Sequence, residues 1–384
     1  MDKDFEDWFL EGINKPNLSD CSLLDKVTIV IPSYERQSYL LRQILYWHGT
    51  GVSLLILDGS NSALPDNISA AILNRKELTY LHLPISFEAR LKKAINYIKT
   101  PYVASLSDDE FFLKSALNNL VLKLENDSSL SGCIGQSLGF DFDKNSNGMV
   151  FSNGYPHWEF SATHEDIKDR LAYAMNPYNA VTAYGLFKKD IWQAGWGEIV
   201  SYSCAYTSEM HQALTTYLTG KYIATDELYW LRSSENAPVD TVGWDRKLHF
   251  HEWWNDPQYK EEKELFFSKL EKIAVEYQNV SKEKAREIIY NAVEHYLAFC
   301  DAYFKQSWKT KLRMLIAKLL RGILPGTAFQ KLKLVFALKN TKKTPLTKDT
   351  KYPWLAFTRS NNVEENQKEM QEIETLIKEF HSLK

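Results

Sequence analysis

Tyr102-Val-Ala-Ser-Leu-Ser-Asp-Asp-Glu-Phe-Phe112 is the stretch on which both the fold and the chemistry of this chain turn. An apolar strand pattern runs straight into three consecutive acids, Asp108, Asp109 and Glu110, then two aromatics and a helical pattern. Neighbouring carboxylates repel one another unless a cation or hydrogen-bond donors share the charge. Clustered hard oxygen ligands suit Mg²⁺ or Mn²⁺, which commonly bind through one or two carboxylates plus the phosphates of a substrate. The rival reading is an acidic turn that caps the following helix, because acids favour helix N-termini.

The flanking sequence supplies the context. The short, almost wholly apolar run at 27–32 reads as a strand buried on both faces, 53–57 as a second buried strand, and 78–83 and 102–106 as a third and a fourth strand. Helical patterns at 37–47, 65–75, 87–98 (capped by Ser86) and 113–125 alternate with them. Such alternation predicts βαβ units, an α/β fold and a mostly parallel sheet flanked by helices. Ligands of such sheets bind beyond the carboxyl ends of the strands. Ser33, Arg36, Asp58 and the run Ser107 to Glu110 all fall there. Further on, the reading gives a strand at 133–140, a loop-rich stretch at 141–163, a strand at 179–187, a helix at 208–218 and a strand at 221–231. Two helices fill most of 258–305.

Composition excludes several classes. A chain of 384 residues with 44% hydrophobic and 25% charged content is that of an ordinary globular protein. Its net charge of −3 gives no whole-chain signal for nucleic acid. Cys21, Cys133, Cys204 and Cys300 form no CxxC pair and are expected as reduced thiols. The acidic start lacks the order of a signal peptide, and no apolar run is long enough to span a bilayer, so a cytoplasmic location is expected. The expected division is an N-terminal segment at 1–25, a sheet domain at 26–250, a helical extension at 251–348 and a tail with a helix at 349–384.

Four motifs in order now carry a resemblance: Ile31-Pro-Ser-Tyr-Glu-Arg36, Leu57-Asp-Gly-Ser60, Leu106-Ser-Asp-Asp-Glu-Phe-Phe112, and Thr207-Ser-Glu-Met210 leading to Gly220-Lys-Tyr-Ile223. Over about residues 27–235 the chain resembles the family-2-like glycosyltransferases with a GT-A fold, of the bacterial surface-polysaccharide type. That resemblance implies transfer of a sugar from a nucleotide-activated donor to an acceptor hydroxyl on a glycan or glycolipid, assisted by Mg²⁺ or Mn²⁺, with inversion. It places Pro32, Ser33, Arg36, Asp58, Arg90 and Asp108 on the donor and Asp109 with Glu110 on the metal. Ser107 departs from the pattern, standing where the first acid of the usual Asp-x-Asp would be. Glu209 matches the general base that takes the acceptor's proton, a role typically worth ~10²–10⁴-fold. Its bland rival is a helix-start acid beside a capping Ser208. Trp158, Tyr206 and His211 are the acceptor-side candidates, with Tyr155, Trp192, Trp196, Tyr202 and the pair His249/His251 nearby. Core packing is the rival for each of these.

Between Asp301 and Asp349 there is no acid but there are twelve Lys and Arg, interleaved with apolar residues. A basic amphipathic helix at about 306–323, within a basic stretch reaching 343, matches a segment lying on an anionic membrane surface. This implies peripheral attachment at the inner face of the cytoplasmic membrane; the rival reading is a helix packed on the catalytic domain with a solvated basic face. Nucleic acid is not an expected partner, because no nucleic-acid motif accompanies the charge. Met370, Ile373, Ile377 and Phe380 share one helical face near the C-terminus and predict docking on the domain. Two other readings stand beside the transferase. A nucleotidyltransferase would want a Gly-rich phosphate loop, which Ile31 to Arg36 lacks, and a non-catalytic carbohydrate-binding or scaffold protein would account for Ser107.

Overall fold

The structure is a computed structural model that describes residues 2–15, 23–155, 160–236, 248–323 and 352–384, with the side chains of 180–181 and 303–323 left out. Strands β1 (Val27–Ser33), β2 (Ser53–Asp58), β3 (Leu78–His82) and β4 (Tyr102–Ser105) pair in parallel in the order β3-β2-β1-β4. β1, β2 and β4 are apolar and buried on both faces, with Ile29, Val30, Ile31, Leu54, Ile56, Leu57, Val103 and Ala104 all buried, whereas the edge strand β3 is mostly half-buried. After α1 (Lys3–Gly12), the crossover helices are α2 (Gln37–Trp47), α3 (Asp66–Leu73) and α4 (Phe87–Ala94), the last shorter than the 87–98 pattern.

β5 (Phe111–Phe112) and α5 (Lys114–Asn126) follow the acidic run, so a short strand separates the acids from the expected helix. The second half of the sheet is mixed. β6 (Leu130–Asp143) pairs antiparallel with β7 (Gly148–Asn153) and β8 (Leu186–Lys188) and parallel with β9 (Lys221–Ser233), while β4–β8 and β5–β9 are antiparallel. The α/β architecture, a sheet flanked by helices with a helical C-terminal region, is as expected, but the parallel half is only one side of a nine-stranded sheet. Two local expectations fail. The loop-rich 141–163 contains the β6–β7 hairpin, and of the strand at 179–187 only its end enters β8, because Ala180–Tyr184 is a 3-10 helix.

The remaining helices are α6 (Ile167–Met175), α7 (Lys189–Trp192), α8 (Ala205–Thr219), α9 (Phe250–Asn255), α10 (Lys260–Gln278), α11 (Lys282–Ile323) and α12 (Val363–Ser382). The backbone of the predicted 306–323 helix is the end of α11, and 324–351 lie outside the described residues. Among the described residues no helix is long and apolar enough to cross a membrane. α12 docks as expected: Met370, Ile373 and Ile377 join the main core, and Phe380 packs on Tyr39 and Phe5. It also supplies what α5 lacks, a side-chain cap, since Glu369 accepts from the amides of Lys114 and Ser115.

Candidate active site

Register brings the polar strand ends together. Ser33 of β1 stands opposite Asp58 of β2, which stands opposite His82 of β3. The chain leaving β4 continues beside β1, with Leu106 N–H on Val30 C=O at 3.0 Å. Asp108 therefore arrives next to Ser33, whose Oγ donates to its Oδ2 at 2.7 Å. Glu35, at the turn after β1, has φ 55°, an uncommon left-handed conformation for a non-glycine residue. Its amide is held by Ser60 Oγ at 2.8 Å, which ties the first and second motifs together.

Arg36 lies against two of the acids. Its Nη1 is 3.5 Å from Asp108 Oδ1 and 3.4 Å from Asp109 Oδ2. Asn236 Nδ2 donates to the same Asp109 oxygen at 2.8 Å. Burial, and next the charge of Asp109, raise the proton affinity of Asp108. Glu110 turns the other way. Its Oε2 accepts from the Trp230 indole at 2.9 Å inside the core, and burial pushes its pKa up to about 8. The expected metal role of Glu110 is thus corrected: its side chain is held by Trp230 and Ser107, and Asp108 and Asp109 alone pair with Arg36.

The acidic run is held from behind by residues that motif reasoning passed over. From α2, Arg42 donates to Asp109 C=O at 3.0 Å, Gln43 to Glu110 C=O, and Tyr46 to Phe112 C=O at 2.9 Å. Arg42 also forks onto Glu235 at 3.0 and 2.7 Å, and Glu235 accepts from His381 of α12. Burial works against the charge of Glu235, but His381 and Arg42 outweigh it and hold its pKa down to about 2. The readable signal was a polar pair, Arg42-Gln43, in the middle of an otherwise apolar helix.

Asp58 and Arg90 are placed differently from the donor-facing expectation. Asp58 is fully buried; its Oδ1 accepts from Ser60 N–H, and its Oδ2 from Gln37 and from Tyr80 at 2.7 Å. Arg90 is also buried, and its Nη1 donates to Ser33 C=O at 2.6 Å and Leu57 C=O at 2.8 Å. Both hold strand ends in register instead of facing open space. Gly59 allows this, since a Cβ there would stand 2.6 Å from Arg90 Cζ.

A cavity of about 450 Å³ opens beside these strand ends. Pro32, Ser107, Phe87, Trp196 and Tyr184 line it, together with Tyr206 and Glu209 of α8. Glu209 Oε1 accepts from Tyr178 OH at 2.8 Å. Burial raises the proton affinity of Glu209, and the Tyr178 hydroxyl opposes that rise. Tyr155, also on the wall, stacks on Trp230 (5.8 Å, 10°), whose other neighbour is Tyr184 (4.0 Å, 19°).

Of the acceptor candidates, Tyr206 lies on this cavity and Trp158 falls outside the described residues. His211 is corrected. It faces the helical core, with Nδ1 on Tyr202 OH at 2.8 Å and its ring edge-on to Phe266, and burial lowers its pKa to about 3. His249 and His251 stand together on the far side of Tyr206.

The fit to a divalent ion rests on the acids alone. Among the described residues, no three His, Cys, Asp or Glu side chains gather closely enough to hold a metal by themselves. Asp108 and Asp109 nevertheless turn oxygens toward one point, and a guanidinium stands there as the cation. A two-carboxylate site completed by substrate phosphates fits that donor set, as Mg²⁺ commonly binds.

No family model and no curated protein matches this chain. Solved structures similar to it include S. aureus TarS 1-349, at TM-score 0.45 and 13% identity over 71% of this chain and 72% of that one. Its complex with UDP-GlcNAc gives TM-score 0.45 and 11% identity over 71% and 73%. Its complex with UDP gives TM-score 0.39 and 14% identity over 73% and 92%.

Proposed function

We propose that this chain is a glycosyltransferase that moves a sugar from a nucleotide-activated donor to an acceptor hydroxyl on a glycan or glycolipid. One observation carries the reading. Ser33, Arg36, Asp108 and Asp109 meet at the carboxyl ends of the parallel strands, next to a cavity that Pro32, Ser107 and Glu209 line together. In this reading Glu209 takes the proton of the acceptor hydroxyl, and Tyr178 keeps its carboxylate aimed and ionised. Arg36 lies where the donor diphosphate would meet the acids. Asp108 and Asp109 would hold Mg²⁺ or Mn²⁺, which when bound neutralises the charge growing on the departing diphosphate. Attack from the Glu209 side, opposite the leaving group, inverts the anomeric centre.

The aromatic walls suit a sugar, whose C–H faces pack on rings. The basic, acid-free stretch of 306–343 supports attachment to an anionic membrane surface, at roughly 1 kcal/mol per basic residue near it. That would bring a lipid-linked acceptor within reach. The deciding experiment is a screen of nucleotide sugars for hydrolysis by mass detection, with and without Mn²⁺. Turnover of at least one donor, lost in Glu209→Gln only when acceptor is present, supports the reading. No turnover or binding of any nucleotide sugar overturns it.

A further inference from the structure

A second cavity, of about 250 Å³, opens on the other side of the Tyr206 ring. Tyr206 lines both cavities and stands one helical turn before Glu209. The second is walled by His249, Phe250 and His251 at the start of α9 and by Tyr296 and Phe299 of α11. The rings of Tyr206 and His249 lie 5.9 Å apart at 18°, and those of His249 and His251 lie 5.8 Å apart at 16°. Three nearly parallel rings thus form a ladder that begins beside the proposed base and leads away from it. The two cavities are also tied together from behind, because Tyr178, which holds Glu209, packs edge-on against Tyr296 at 5.1 Å.

The chemistry of this lining is selective. Among the described residues that line it there is no Lys, Arg, Asp or Glu, so none of them brings a fixed charge to the cavity. Its ring faces are apolar and its phenol and imidazole edges are polar, although the His249 side chain already accepts from the Glu252 amide at the start of α9. A neutral pyranose has the matching form, with C–H faces for stacking and hydroxyls around the rim. An acyl chain would make no use of the polar ring edges. Resting on the transferase reading of Glu209, we infer that this cavity is an acceptor subsite for neutral sugar units beyond the one that presents its hydroxyl. The acceptor of this protein is then an oligosaccharide or longer glycan.

The test compares methyl glycosides of one to four units in the gluco, galacto and N-acetylglucosamine series, using the donor found by the hydrolysis screen. Wild-type kcat/KM should rise about tenfold or more, equivalent to about 1.4 kcal/mol, between one unit and two or three, chiefly through KM. His251→Ala and Phe299→Ala should each remove most of that gain and leave single-unit transfer and donor hydrolysis unchanged. Equal kcat/KM at every length, or a gain that survives both substitutions, overturns the inference. So does an octyl glycoside that gains through these residues when added sugars do not. Should no donor turn over, saturation-transfer NMR with the same saccharides still decides the cavity. Binding lost in His251→Ala keeps it as a saccharide site without the transferase, and no binding of any saccharide removes it.

Discussion

Replacing Tyr178 with Phe deletes one hydroxyl and leaves the ring in place, which makes it the sharpest probe of the proposed base. In the structure that hydroxyl donates to Glu209 Oε1 at 2.8 Å, in a setting where burial favours the protonated acid. A hydrogen bond to a charged group is worth about 1.5–3 kcal/mol, and 1.36 kcal/mol corresponds to a factor of ten in protonation equilibrium. The substitution therefore lowers the ionised fraction of Glu209, and with it kcat/KM for transfer, by about 10–10²-fold on the acid side of the profile. The sign follows directly. The Tyr178 hydroxyl stabilises the carboxylate, so its loss raises the Glu209 pKa and moves the acid limb to higher pH. Activity should recover toward wild type as pH rises. The assay is a pH profile of transfer, with acceptor-free donor hydrolysis as control. A Tyr178→Phe variant whose loss is the same at every pH, or whose profile does not move, refutes the assignment of Glu209 as base.

Three further outcomes test the frame around the site. Arg90→Met removes a buried charged donor from Ser33 C=O and Leu57 C=O, so denaturant unfolding should show a loss of about 1.5–3 kcal/mol. Glu110 has a folded-state pKa near 8, above its ordinary value, so its contribution is complete in acid and is lost as pH rises toward 8. In chelator-treated protein, Glu110→Gln should match wild-type Tm at pH 5 and exceed it at pH 8.5; equal Tm values at both would show that Glu110 is not held neutral. Phe380→Ala, which empties the contact between α12 and Tyr39 and Phe5, should cost about 3–5 kcal/mol in chemical unfolding. A change under ~1 kcal/mol there would mean that α12 is not part of the folded core.

The parallel half of the sheet was legible because buried parallel strands are written as continuous β-branched and apolar runs, and 27–32 and 53–57 are such runs. The run at 179–187 looked alike and misled, since a short apolar stretch does not by itself separate strand from helix. Packing decided it, through the stack of Tyr184 on Trp230. Which of three adjacent carboxylates face the rim was not readable, because it depends on where β5 begins. His211 is different, since its misplacement was avoidable. Residues two apart on a helix do not face each other, so Glu209 and His211 do not point into the same cavity. The holders Arg42, Gln43 and Tyr46 were visible as polar groups on a buried face, but their targets were backbone carbonyls, which no side-chain motif records.

Two arginines in contact with the acidic run weigh the enzyme against the scaffold. Arg42 is fully buried, forks onto Glu235 at 2.7 and 3.0 Å, and stacks over Tyr39, Phe111 and Phe380. Such a bidentate, packed guanidinium fixes structure. Arg36 is partly exposed, and its Nη1 approaches Asp108 and Asp109 only at 3.5 and 3.4 Å. Replacing a buried charge network by apolar residues is often neutral or stabilising, so a fold that needed only rigidity here had a simpler solution. Arg42 thus fixes the acidic run from behind through Asp109 C=O, while Arg36 pairs with the carboxylates of both Asp108 and Asp109. In the proposed transferase the two arginines divide the work: Arg42 holds the backbone of the run, and Arg36 is the cation that a metal ion and the donor diphosphate would meet.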